Sequence, residues 1–270
     1  MLFDAPSFDG PLFDAPLFDA HCHLDFASFD ADREAVLERA HAAGVSRFMV
    51  PGTSRRRWEN VLALSKRDDV VVSLGLHPFF LDEHAEGDLE RLAEAFDQHP
   101  DLVGIGECGI DARFEATLEQ QWVLFEAQLQ MAKQRRLPVI VHCVHADDQV
   151  AKRLKQLDLP AGGLIHAFGG SAQQARRFLD LGYMLGLGGA VTYDRAKRLH
   201  RAVRSLPDDG FVLETDSPDM PLCGRQGQRN EPACLPRTLN AIAALRSQER
   251  DRIAANAWAN TRRLFRLAAD

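Results

Sequence analysis

Six side chains able to ligate a metal stand at the ends of five short apolar runs: His21 with His23, then Glu107, His142, His166 and Asp216. Neutral imidazoles and ionised carboxylates are common ligands of divalent cations, and a cation so held acidifies water for hydrolysis. Singly, each has a plainer reading. In an extended segment His21 and His23 point the same way and Cys22 points to the other face, yet His-x-His also describes packed or surface histidines. Glu107 closes Val103-Gly-Ile-Gly-Glu107, where a buried carboxylate needs a cation, a salt bridge or a full set of hydrogen bonds. His142, after Pro138-Val-Ile-Val, and His166, after Gly162-Gly-Leu-Ile, read alone as hydrogen-bonded core histidines. Asp216 in Leu213-Glu-Thr-Asp-Ser-Pro218 equally suits a cap or turn. Recurrence at five run ends argues for one scaffold edge on which the six converge.

Such an edge needs a particular arrangement of elements. Apolar runs at 17–23, 45–50, 70–76, 102–107, 138–142, 163–166, 183–188 and 211–216 predict strands buried on both faces. Helical patterning fills the intervals at 32–43, 55–67, 88–98, 117–136, 147–157, 171–181 and 194–205 and returns from 234 to 267. The clearest helix repeats Leu118, Trp122, Phe125, Leu129 and Ala132, with Thr117 and Gln120 as a capping box; Gly44 reads as the stop of the first helix. Eight alternating strands and helices predict an α/β fold of the (β/α)8 TIM-barrel type, although pattern alone also fits an open doubly wound sheet. The run-end residues favour the barrel, whose strand ends ring one mouth. No Gly-x-Gly-x-x-Gly follows the first strand, which removes the usual argument for a dinucleotide site.

Residues 17–270 are thus expected to form a single barrel domain. Before them, Leu-Phe-Asp-Ala-Pro at 2–6 recurs with variation at 7–11 and 12–16, and its last copy leads into His21. Proline at every fifth position rules out a regular central strand, so 1–16 reads as a flexible extension. The net charge of -7, from 32 basic and 39 acidic residues, disfavours broad duplex-DNA binding by phosphate neutralisation. Five cysteines form no Cys-x-x-Cys pair, and no signal peptide or long apolar span is visible, which implies a reduced, cytoplasmic setting without a membrane role. No obligate protein partner is implied.

Asp19-Ala-His-Cys-His-Leu-Asp25, Gly106-Glu-Cys-Gly-Ile-Asp111, Pro138-Val-Ile-Val-His142, His166-Ala-Phe-Gly-Gly170, Leu213-Glu-Thr-Asp-Ser-Pro218 and Asn230-Glu-Pro232 together resemble the successive signatures of the TatD family of metal-dependent hydrolases. The resemblance covers the chain from about residue 17 to its end. Segments 188–193 and 224–230 look most like the YjjV-like branch. It implies an amidohydrolase-like barrel with two divalent ions, of Zn, Mn, Ni, Co or Mg. His21, His23 and Asp216 would hold one ion, His142 and His166 the other, and Glu107 would bridge them. Asp216 would also accept a proton from the attacking water, making Asp216 and Glu107 the catalytic pair. The implied substrate is nucleic acid, cleaved at phosphodiester bonds by a deoxyribonuclease acting as an exonuclease on single-stranded DNA.

One departure bears on substrate. Many TatD relatives carry arginine two residues after the fifth-strand histidine, where this chain has Val144 followed by His145. His145, His77 in Gly75-Leu-His-Pro78, and Arg225, Arg229 and Asn230 of the loop after the eighth strand are candidate substrate contacts; each also reads as a loop or packing residue. Cys22, Cys108 and Cys143 are expected in the core, and His41, His84, His99 and His200 at the surface. No stacking platform or basic groove can be read from the loops. Two other functions suit the residues: hydrolysis of a carboxyl ester or amide such as an aminoacyl-tRNA ester, and a non-catalytic metal-binding scaffold.

Overall fold

The computed structural model describes residues 15–268, so most of the expected extension, residues 1–14, lies outside the described residues. Eight strands follow in chain order: β1 (Leu17–Asp19), β2 (Val45–Pro51), β3 (Val70–Ser73), β4 (Ile105–Asp111), β5 (Val139–Val144), β6 (Gly163–Ile165), β7 (Tyr183–Leu187) and β8 (Phe211–Leu213). Every ladder is parallel, within one set β1-β2-β3 and another running from β4 to β8. Backbone bonds join the two sets at both seams. Val103 N–H donates to Val72 O at 3.0 Å and Gly106 N–H to Leu74 O at 2.9 Å; opposite, Ala20 N–H donates to Leu213 O and Asp216 N–H to His21 O, both at 2.9 Å. The sheet is a (β/α)8 barrel, and among the described residues no strand edge is left for another chain to pair with.

Alternation along the strands separates two cores. Phe18, Met49, Ile140, Leu164 and Val212 cluster with Ala20, Leu264 and Phe265, while their neighbours Leu17, Val50, Val139, Val141 and Leu213 belong to the larger core with the helices. The helices are α1 (Arg33–Ala42), α2 (Arg55–Leu64), α3 (Asp88–Gln98), α4 (Leu118–Arg135), α5 (Asp147–Leu157), α6 (Ala172–Asp180), α7 (Lys197–Ser205), α8 (Leu235–Arg246) and α9 (Arg250–Leu264). Gly44 follows α1 at φ 85°, the left-handed geometry that favours glycine at a helix stop.

Helix α4 also positions the mouth. Its buried face carries Phe125, Leu129 and Ala132, but also Gln121 and Gln128. Gln128 accepts from Leu76 N–H at 2.8 Å and donates to Leu76 O at 3.1 Å; Gln121 makes the same pair of bonds with Asp111, at 2.8 and 3.1 Å. Two amides thus hold the backbone beside His77 and at the end of β4, where the ladder leaves polar groups unpaired. Thr117 does not form the expected capping box, because its hydroxyl donates to Phe114 O and accepts from Gln121. That motif occurs at Ser171 and Gln174, at the start of α6.

Regular β1 pairing ends before His21, whereas β4 continues past Glu107 to Asp111. The ends of the apolar runs therefore do not coincide with the ladder ends: β4 and β5 stay paired past Glu107 and His142, whereas β1, β6 and β8 stop short of His21, His166 and Asp216.

Candidate metal centre

Glu107, His21, His23, His77 and His166 are buried, and His142 and Asp216 nearly so, at the C-terminal end of the barrel. The two Glu107 oxygens face different histidine sets. Oε2 lies 3.2 Å from His21 Nε2 and 3.3 Å from His23 Nε2; Oε1 lies 3.3 Å from His142 Nδ1, 3.5 Å from His166 Nε2 and 3.0 Å from His77 Nε2. Asp216 Oδ1 stands 3.6 Å from both His21 Nε2 and His23 Nε2 and 3.8 Å from His166 Nε2. All six residues expected to be ligands meet around one point. Three overlapping groups are spaced as metal ligands are: His21, His23 and Glu107; His77, Glu107 and His142; and His21, His166 and Glu214.

Further carboxylates stand behind the imidazoles. Asp111 Oδ2 is 3.1 Å from His142 Nε2, so that nitrogen donates outward and Nδ1 is the atom that faces Glu107. Glu214 Oε1 is 3.2 Å from His166 Nδ1 but off the line of a hydrogen bond, so the contact is electrostatic; its true donor is Ala167 N–H at 2.6 Å. Asp19 accepts from Thr215 N–H and Thr215 Oγ1, at 2.9 and 2.6 Å, tying β1 to the segment that carries Asp216.

Protonation follows from this crowding. Burial depresses the His23 imidazolium, but Glu107, Asp216 and Asp25 outweigh it and raise its pKa to about 9. His166 is likewise raised against burial, by Asp216, Glu214 and Glu107, to about 10. For His21 burial prevails, reinforced by His166, and the ring is held neutral. Burial raises Asp216 to about 6 despite His166 and His23, whereas Glu107 is held low against burial by the surrounding histidines. Protons and divalent cations compete for the same atoms here. Four imidazoles and two carboxylates, buried and within reach of one another, are a donor set that fits divalent ions.

The chain matches the family described as TatD related DNase over residues 18–266. It belongs to that family. As a TatD-related chain it is a metal-dependent hydrolase, with histidine and carboxylate groups able to hold metal. It is 43% identical to the uncharacterized metal-dependent hydrolase YjjV of Escherichia coli over 92% of this chain and 96% of that one. The crystal structure of that TatD homologue superposes with a TM-score of 0.90, at 42% identity over 93% of this chain and 98% of the other. A 3′-5′ ssDNA/RNA exonuclease TatD from Rahnella is 35% identical over 92% and 97% of the two chains. An organophosphorus hydrolase variant from Deinococcus radiodurans shares the fold alone, with a TM-score of 0.56 at 17% identity over 93% and 92% of the chains.

Other residues expected at the TatD-type site divide. His77 is in it: Phe79 N–H donates to Nδ1 at 3.0 Å, which leaves the proton on Nε2 to bond Glu107 Oε1. His145 is exposed at the end of β5, with φ 56°. Arg229 is not free for substrate, since Asp32 holds its guanidinium with two bonds of 2.8 and 2.6 Å. Arg225 is bonded within its own loop, to Gln228 Oε1 and Cys234 Sγ. Asn230 is a buried strap: its amide donates to Thr215 O at 2.9 Å and Asp219 O at 3.0 Å, and its oxygen accepts from Glu231 N–H. Cys22 and Cys108 are in the core and Cys143 is half-buried. His200, expected at the surface, is buried with Nε2 2.9 Å from Val191 O.

The residues that the sequence reading missed are Asp111, Glu214 and Asp19. Each had a signal, a carboxylate two or four positions from an expected ligand and so on the same face of an extended chain.

Proposed function

We propose that this protein hydrolyses phosphodiester bonds with two divalent ions, as an exonuclease on single-stranded DNA. The observation that carries the reading is Glu107, whose two oxygens each address a separate histidine set. His21, His23 and Asp216 would hold one ion, His142 and His166 the other, and Glu107 would span both. Bound there, divalent ions supply Lewis acidity, which acidifies water and offsets charge on the attacking and leaving oxygens of an in-line displacement.

The protein's own groups do the rest. Asp216, beside the first histidine pair, accepts the proton of the attacking water at a carboxylate oxygen. His77 donates to Glu107 and fixes the carboxylate plane, while Asp111 orients His142. The names of the exonuclease relatives support a nucleic-acid substrate. A single barrel domain over residues 17–270, in a cytoplasmic setting, suits this reading, and the five cysteines are free. Among the described residues no helix is long and apolar enough to cross a membrane.

The test is end-labelled single-stranded DNA incubated with wild type and Asp216→Asn, with added metal and with chelator. Metal-dependent release of mononucleotides, lost in Asp216→Asn while metal stays bound, is expected. Turnover of an aminoacyl-ester panel with no cleavage of DNA would overturn the phosphodiester reading, and an inert wild type fully loaded with metal would overturn catalysis altogether.

A further inference from the structure

A continuous run of rings leads from the metal centre to solvent across the third and fourth loops of the barrel mouth. Phe26 stacks on His23 with centroids 4.6 Å apart, and Phe80 lies 6.1 Å from Phe26 and 5.7 Å from His77. Phe79 meets Phe80 at 5.2 Å, and Phe114 meets Phe79 edge-on at 5.7 Å. Phe26 and Phe80 are half-buried; Phe79 and Phe114 are 57% and 40% exposed. Phe79 belongs to the turn Pro78–Glu83 after β3, and Phe114 follows β4, so two separate loops bring the exposed rings together. Guanidinium groups pack on the run, Arg113 5.7 Å from the Phe114 centroid and Arg57 4.3 Å from that of Phe80, each held in place by a carboxylate, Asp111 and Glu83 respectively.

Scattered exposed apolar side chains need no explanation, but two paired phenylalanines at the end of a ring path from buried ligands do. A single strand is the substrate this surface fits. Unpaired bases offer π-faces to aromatic side chains whatever their identity. A duplex buries those faces in its own stack. We propose that Phe79 and Phe114 form a stacking platform for a base of the single strand whose phosphodiester is held at Glu107, an inference that rests on the phosphodiester reading above.

Binding tests this apart from cleavage. The metal-loaded protein is titrated into a labelled, phosphorothioate-linked single strand of about ten nucleotides, and into the same strand made abasic at its terminal positions. Phe79→Ala and Phe114→Ala are each expected to raise Kd for the normal strand by roughly 5- to 100-fold. Phe79→Trp should retain affinity, and the abasic strand should bind wild type as weakly as the alanine variants bind the normal one. Both side chains are exposed, and unchanged melting curves would confirm that the variants fold.

Affinities within about twofold across the series, or a wild type that binds no oligonucleotide, would overturn the platform. Failure of the phosphodiester reading looks different: wild type would bind the strand in a Phe79-dependent way yet release no nucleotide from an unmodified strand with metal. Cleavage of that strand with Kd insensitive to Phe79 and Phe114 would overturn the platform and leave the reading intact.

Discussion

His77 and Glu107 form a directional pair: Nε2 of the imidazole donates to Oε1 of the carboxylate at 3.0 Å because Phe79 N–H, also at 3.0 Å, already occupies Nδ1. His77 is thereby a hydrogen-bond donor to the bridging carboxylate, although its ring lies as close to Glu107 as any other histidine in the cluster. Burial keeps the ring neutral, with its pKa lowered to about 4 against the pull of Glu107.

Replacing His77 should therefore separate metal binding from turnover. His77→Ala is expected to keep its metal and to lower kcat by about 10- to 100-fold, the usual effect of removing a partner behind a ligand. His77→Gln, which returns an N–H near the Nε2 position, should recover part of that loss. Elemental analysis beside kinetics checks it; metal lost from the alanine variant would make His77 a ligand.

Glu107→Gln should act on both ion positions at once. Neutralising the carboxylate removes the shared charge, so the isolated protein is expected to lose at least one equivalent of metal and more than the roughly 100-fold in activity typical of an outer partner. Full metal content with near-normal kcat would refute a bridging role.

The loop after β8 carries a contrast between neighbours. Asn230→Ala leaves the buried Thr215 carbonyl and the partly buried Asp219 carbonyl without their donor, at a cost of about 1–3 kcal/mol, and lowers Tm by roughly 2–4 °C per kcal/mol. Arg229→Ala breaks a solvent-screened pair with Asp32 and should change stability little, with KM for DNA unaltered. A large rise in KM for Arg229→Ala would restore it as a substrate contact.

Asp208 gathers Arg246, Arg252 and Gln248 where α8 and α9 meet the loop before β8. Bonds from Arg252, Gln248 and Arg246 hold its carboxyl below the ordinary value of 3.8. A depressed carboxylate stabilises the fold above its unfolded pKa, and that contribution disappears as pH falls through the folded value. Asp208→Asn should thus melt a few degrees below wild type at neutral pH, and the two curves should converge as pH drops below about 4. A gap constant with pH would show that packing, not charge, is what Asp208 supplies.

Much of this protein was legible in one dimension. Strand burial writes Val, Leu and Ile into short runs, and a barrel puts the ends of those runs at one mouth, so the convergence of His21, His23, Glu107, His142, His166 and Asp216 could be expected from one dimension, while their division into two ion sets came only from the resemblance to the TatD family. What residues on different loops do to one another could not be read that way, because periodicity reports which face a side chain takes and not what stands opposite. Only the tertiary structure sets Asp111 behind His142, turns Arg229 onto Asp32, makes Asn230 a strap, and carries Phe79 from the third loop against Phe114 from the fourth. The stacking platform that no loop sequence revealed exists only once those two strands lie side by side.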